Sequence, residues 1–244
     1  MIKNIKEINN IINKYDTFIL DQWGVMHDGK NGYDHAIECV KFLENNKKNI
    51  IIISNSSKRQ SSSIAHLPQL GFNKNMFSNV LTSGEMIWQL ISSSLDLYGK
   101  NLKNCFHIYN KAKEDGLDFR KGLNKINFVE DINDADFILG CTPYENYKPI
   151  DYIPLLKVAL EKKLIMFCAN PDFETIEEDN LKNTFCMGTI ADLYDKIGGN
   201  VVILGKPSKA IYKEATKFLN HDISKVVAIG DSLLHDIQGA INFG

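Results

Sequence analysis

Asp21 ends the apolar run Thr17–Leu20 in the stretch TFILDQWGVMHDGK, and Gly24 follows closely. A carboxylate just past a strand, beside a glycine that permits an unusual backbone turn, is how an α/β enzyme presents a nucleophile. Such a group can attack phosphorus and form an acyl phosphate, which divides one hard step into two. The same position also suits a plain capping residue, so the choice rests on what else the chain carries.

The stretch GDSLLHD supplies two more carboxylates, Asp231 and Asp236. With Asp21 they make a set of hard oxygen donors suited to Mg2+, an ion that keeps waters and binds phosphate. Asp231 or Ser232 also reads as a helix N-cap, a role compatible with metal binding. Ser54 and Asn55 follow the run of isoleucines at 50–53. A hydroxyl with backbone N–H groups at a helix start can cradle phosphate. Lys206 stands in GKPSKAIY, where Gly205 and Pro207 restrict the backbone. Its ammonium can offset phosphate and carboxylate charge as a point cation.

These residues are useful only if distant segments bring them together. The apolar runs predict strands at Thr17–Leu20, Asn49–Ile53, Asn79–Thr82, Cys105–Tyr109, Phe137–Gly140, Leu164–Cys168, Val201–Leu204 and Lys225–Ile229. Helical periodicity between them, as at Asp34–Asn45 and Lys209–Leu219, argues for parallel sheets with right-handed crossovers. Asp21, Ser54, Lys206 and Asp231 each follow a predicted strand, and strand carboxyl ends in an open parallel sheet share one ligand-binding edge. The stretch between Thr82 and Val201 then reads as an insert with its own strands, able to act as a lid. Ile2, Ile5, Ile8 and Ile12 lie at near-helical spacing and predict a short amphipathic N-terminal helix. Trp88, among apolar residues at helical spacing, reads as packing.

The 244 residues carry a net charge of -2, with lysines interleaved among acidic residues, which argues against a nucleic-acid partner. Five widely spaced cysteines without a CxxC pair fit reduced thiols in a cytoplasm. No apolar run approaches the roughly 20 residues that span a membrane. The expectation is a soluble cytoplasmic protein.

The segments ILDQWGV, IISN, LGKPS and AIGDSLLHD, in this order, resemble the four signatures of the haloacid dehalogenase (HAD) superfamily. The cap-sized spacing between the second and third, with VLTSGEM at 80–86 and CANPD at 168–172, is similar to the NagD-like class IIA branch. The resemblance implies an α/β fold with a Rossmann-like parallel-sheet core and an inserted α/β cap. It places the core at 1–83 and 200–244 and the cap at 84–199. It implies Asp21 as nucleophile and Mg2+ ligand, with the Trp23 carbonyl, Asp231 and Asp236 completing the metal shell. Ser54 would hold the phosphoryl group and Lys206 would stabilise it. Asn55, Asn170 and Asp172 would face the substrate, a small phosphorylated metabolite. A homodimer is compatible with the resemblance. Family cores continue past the position of Gly244 into a further strand and helix, which implies a core shortened or truncated at this edge.

Trp23 departs from the family pattern, whose phosphatases usually carry Asp there as general acid and then base. Such help is worth about 10²–10⁴-fold, and an indole cannot supply it. Either the leaving group needs little help, another residue provides it, or turnover is slow. His27 and Asp28 are the nearby substitutes, His27 preferred because its ordinary pKa lies near neutrality; HDG also reads as a simple turn. The dehalogenase branch fits less well, because carbon–halogen displacement needs no metal pair. The reading is a Mg2+-dependent phosphatase. The alternative is a phosphate-ligand binding or sensing protein on the same fold.

Overall fold

Residues whose side chains are apolar on both faces of a strand need cover on both sides, and the chain meets that need with strand–helix crossovers. The computed structural model describes residues 7–93, 96–97, 100–112, 115–175, 185–220 and 222–244. They form two compact units: 1–54, 60–82 and 206–244 make the first, 55–59 and 83–205 the second.

The first unit opens with β1 (Thr17–Leu20), α1 (Asp34–Asn45), β2 (Asn49–Ser54), α2 (Gln60–His66) and β3 (Asn79–Thr82). The second holds α3 (Ser83–Ser93), the short pair β4 (Asp96–Leu97) and β5 (Lys100–Asn101), and β6 (Asn104–Ile108). It continues with α4 (Asp115–Arg120), β7 (Asn127–Val129), β8 (Phe137–Gly140), α5 (Ile153–Glu161), β9 (Ile165–Cys168), α6 (Met187–Lys196) and β10 (Asn200–Ile203). The chain then returns to the first unit for α7 (Lys209–Thr216), β11 (Val226–Ile229) and α8 (Gln238–Phe243).

In the first unit the strands pair in the order β11-β1-β2-β3, all parallel. Phe18, Leu20, Ile50 and Ile52 face one core with Val40 and Leu43 of α1. Helix α7 packs against β2 and β3. The second unit has its own parallel sheet, β10-β9-β8-β6-β7. Its strand residues alternate between two cores: Phe137, Leu139, Ile165 and Phe167 on one face, Ile138, Met166 and Cys168 on the other. The α/β parallel-sheet class is as the sequence implies.

Two placements differ from the sequence expectation. Residues 200–205 fall with the second unit, because β10 pairs in register with β9, Asn200 opposite Ile165. Residues 55–59 also fall there, through Arg59. Its Nε donates to Glu85 Oε2 at 2.7 Å, and its guanidinium lies 3.6 Å from the Trp88 ring centroid. Trp88 donates its indole N–H to the Lys121 carbonyl at 3.1 Å, so it packs as expected. Much of the expected N-terminal helix lies outside the described residues; within them, Ile8–Asn10 is a single 3-10 turn. No helix among the described residues is long and apolar enough to cross a membrane.

Candidate active site

Parallel pairing puts the ends of β11, β1 and β2 at one edge of the first unit's sheet. Leu20 pairs with Ile229 on one side and Ile52 on the other, and the Asp21 N–H extends the ladder to the Ile229 carbonyl at 2.9 Å. Asp21 is therefore held by the sheet itself. Lys206, just before α7, reaches it: Nζ donates to Asp21 Oδ1 at 2.5 Å and to Asp236 Oδ1 at 2.6 Å. All three are buried, Lys206 at 2% exposure, Asp236 at 4% and Asp21 at 8%. The Ser232 N–H donates to Asp236 Oδ2 at 3.1 Å, and the buried Tyr212 hydroxyl donates to the Asp236 carbonyl at 3.0 Å. Burial pushes the Asp21 carboxyl up to about 7, opposed by Lys206 and reinforced by Asp236. Burial would pull the Lys206 ammonium down, but the two carboxylates outweigh it and hold it above the ordinary lysine value.

Asp231 joins this group from the exposed side. Carboxylate oxygens of Asp21, Asp231 and Asp236 all lie within 4.8 Å of one another. Its seat is Gly24, whose φ is +81° and where a Cβ would stand 2.2 Å from Asp231 Oδ2. Only a residue without a side chain allows that approach. The donor set fits a hard divalent cation: it is all oxygen, and oxygen ligands about 2.0–2.6 Å from Mg2+ or Ca2+ stand up to about 4–5 Å apart. Charge agrees, since three carboxylates face one ammonium. Asp21, Asp231 and Asp236 are the residues that could hold the ion.

Along the chain Trp23 lies between Asp21 and Gly24, and it is 39% exposed. His27 is buried, and its Nδ1 accepts the Gly29 N–H at 2.9 Å. An acceptor Nδ1 belongs to the neutral ring protonated at Nε2, so His27 takes up a proton only by giving up this bond. Asp28 accepts from the N–H groups of Asn31 and Lys30, which hold its carboxyl below the usual range. Both substitutes for a proton carrier are thus engaged in shaping the loop.

Ser54 closes β2 at the same sheet edge, opposite Thr82, and is buried. The other residues expected near substrate gather within the second unit. Asn55 Nδ2 donates to Asp172 Oδ1 at 2.8 Å, and the Asp172 N–H donates to Asn170 Oδ1 at 3.1 Å. Sequence reading did not find Tyr212 as a support of Asp236. Its signal was a tyrosine on the apolar stripe of α7, where a buried hydroxyl needs a partner.

Residues 18–118 match a family model described as haloacid dehalogenase-like hydrolase, and residues 203–244 match one described as HAD-hydrolase-like. The chain is 22% identical over 242 residues to the 5'-nucleotidase YutF of Bacillus subtilis, covering 94% of this chain and 84% of that protein. Its fold is similar to a haloacid dehalogenase-like family hydrolase from Brucella suis, with a TM-score of 0.87 and 28% identity over 99% of this chain and 87% of that one. A glycerol phosphate phosphatase from Mycobacterium tuberculosis, solved with magnesium, aligns with a TM-score of 0.67 and 19% identity over 96% of this chain and 66% of that one.

Proposed function

The chain belongs to the haloacid dehalogenase-like hydrolases, in their class IIA branch, and from this we propose that it is a divalent-metal-dependent phosphomonoesterase acting on a small phosphorylated metabolite. One observation carries the proposal. A strand-end carboxylate, Asp21, is paired to a buried lysine and lies within 4.8 Å of two further carboxylates that would complete a cation site. A plain binding protein gains little from a nucleophile in that setting. The matched 5'-nucleotidase and glycerol phosphate phosphatase are named for small phosphomonoesters, which supports the substrate class.

In the proposed reaction a carboxylate oxygen of Asp21 attacks phosphorus. The bond from phosphorus to the alcohol oxygen breaks, and the alcohol leaves with the electron pair and takes a proton from water. A water molecule then attacks phosphorus of the aspartyl phosphate, which releases inorganic phosphate and restores the Asp21 carboxylate. Lys206 holds Asp21 in place and would offset charge on the phosphoryl oxygens, which Ser54 would hold. A bound Mg2+ would neutralise phosphate charge at Asp21, Asp231 and Asp236 and align the attack. All five cysteines are free thiols, which supports a reducing, cytoplasmic setting.

The test is hydrolysis of p-nitrophenyl phosphate with Mg2+, with EDTA, and by Asp21→Asn. Turnover is expected only with the metal, and the variant should lose about 10³-fold or more. Turnover that survives in the variant would overturn the mechanism. Trp23 favours one competing reading, a phosphate sensor without a proton carrier, and tight phosphate binding with no hydrolysis would select it.

A further inference from the structure

Burial divides the groups around Asp21 into an inner and an outer side. Asp21, Lys206 and Asp236 are at most 8% exposed, whereas Asp231 is exposed and Trp23 is 39% exposed. A phosphomonoester that reaches Asp21 keeps its alcohol portion on the outer side. In-line displacement has the same consequence, because the attacking and leaving oxygens stand on opposite sides of phosphorus. Trp23 is a large exposed apolar side chain two residues from the nucleophile and next to Gly24, the seat of Asp231.

The indole is also held rigidly. It lies on Gly29, where a Cβ would come within 2.2 Å of Trp23 Cη2. The His27 ring meets its edge with centroids 5.6 Å apart and planes at 73°. His27 is itself pinned by the Gly29 N–H, and the Gly24 N–H donates to the His27 carbonyl at 2.9 Å. An aromatic surface fixed from behind and open in front loses little entropy when a second ring stacks on it.

We propose that Trp23 is a specificity-determining residue whose exposed indole stacks on a planar aromatic ring in the alcohol portion of the substrate. This rests on the phosphomonoesterase reading and narrows its substrate class. It also gives the residue that replaces a proton carrier a positive role.

Benzyl phosphate and cyclohexylmethyl phosphate test it. Both release a primary alcohol, so ease of departure is matched and only the planarity of the ring differs. The wild-type enzyme with Mg2+ should show a KM about 2- to 10-fold lower for the benzyl ester, with kcat nearly equal. Trp23→Phe should keep that preference and Trp23→Ala should erase it. Equal KM values in the wild type, or a preference that survives Trp23→Ala, would overturn the proposal. If the wild type hydrolyses neither these esters nor p-nitrophenyl phosphate, the phosphatase reading fails. Calorimetry with benzylphosphonate and cyclohexylmethylphosphonate then decides the stacking role alone: tighter binding of the planar ring, lost in Trp23→Ala, upholds it, and equal binding sinks it.

Discussion

Lys206 is a buried cation shared by two buried carboxylates, and such a group matters most when removed. Replacing it with methionine leaves Asp21 and Asp236 facing each other without compensation. Breaking a buried pair in this way costs about 3–5 kcal/mol. Lys206→Met should therefore be destabilised by that order in EDTA, measured by urea unfolding, and should lose hydrolysis. An unchanged midpoint would mean that the lysine contributes chemistry alone. Gly24 makes a second case. Alanine there meets a φ of +81° and a contact of 2.2 Å with Asp231 Oδ2. The backbone cost is about 1–2 kcal/mol, but the larger effect should fall on Asp231. Gly24→Ala is expected to weaken Mg2+ binding at least about 10-fold by calorimetry, while an unaltered affinity would show that Asp231 relaxes freely. Asp21, Asp231 and Lys206 were legible in the sequence, because each follows an apolar run and strand ends converge. The contact of Gly24 with Asp231 was not, because it depends on how two loops from β1 and β11 meet. Nor was the engagement of His27 and Asp28, since a turn and a proton carrier share the same letters.

The elements were legible for a simple reason: buried parallel strands are short continuous apolar runs, and β1, β3 and β8 begin and end where those runs do. The boundary between the units was harder to read. Val201 and Val202 suit either sheet, and only pairing with β9 decides for the second. Arg59 likewise reads as a surface arginine until Glu85 and Trp88 of α3 are seen around it. Its removal takes the neighbouring cation from Glu85, whose side chain is 8% exposed and also accepts from Gln89 Nε2 at 3.4 Å. Arg59→Ala should cost about 3 kcal/mol, at the lower end because Arg59 is partly solvated. Adding Glu85→Gln should recover part of it; strict additivity would deny the coupling. His107 at the end of β6 sets a pH dependence for the second unit. Its Nδ1 accepts from Arg120 Nε at 3.1 Å, and arginine only donates, so the ring is neutral with its proton on Nε2, facing Cys141 Sγ at 3.2 Å. Burial, reinforced by Arg120, pulls His107 down to about 3. The unfolded chain binds a proton below its ordinary pKa of 6.5 that the folded ring refuses. Stability is thus complete above that value and falls as pH drops toward about 3, by at most about 1.4 kcal/mol per pH unit. His107→Gln, which keeps an acceptor for Arg120, should flatten the slope between pH 6.5 and 4; an identical slope would assign it elsewhere.

At the scale of the whole molecule, two parallel sheets with separate cores share one chain, and the proposed cation site lies wholly in the first unit. The sequence contains two tryptophans, Trp23 in the first unit and Trp88 in the second, so each unit carries its own fluorescent reporter. A ligand that binds only folded protein stabilises what it binds by RT ln(1 + [L]/Kd), about 1.4 kcal/mol at tenfold excess over Kd. For a unit of this size that moves the melting midpoint by roughly 5 °C. Trp88→Phe, read through Trp23, should show that rise on adding Mg2+, and Asp231→Asn in the same background should abolish it. Trp23→Phe, read through Trp88, should melt at the same temperature with or without the ion. Domains of a chain commonly unfold as separate units, and this pair of curves tests whether these do. A common rise in both curves would mean that the two sheets unfold as one cooperative body. No rise in either would remove the cation from Asp21, Asp231 and Asp236, and with it the metal dependence of the proposed hydrolysis.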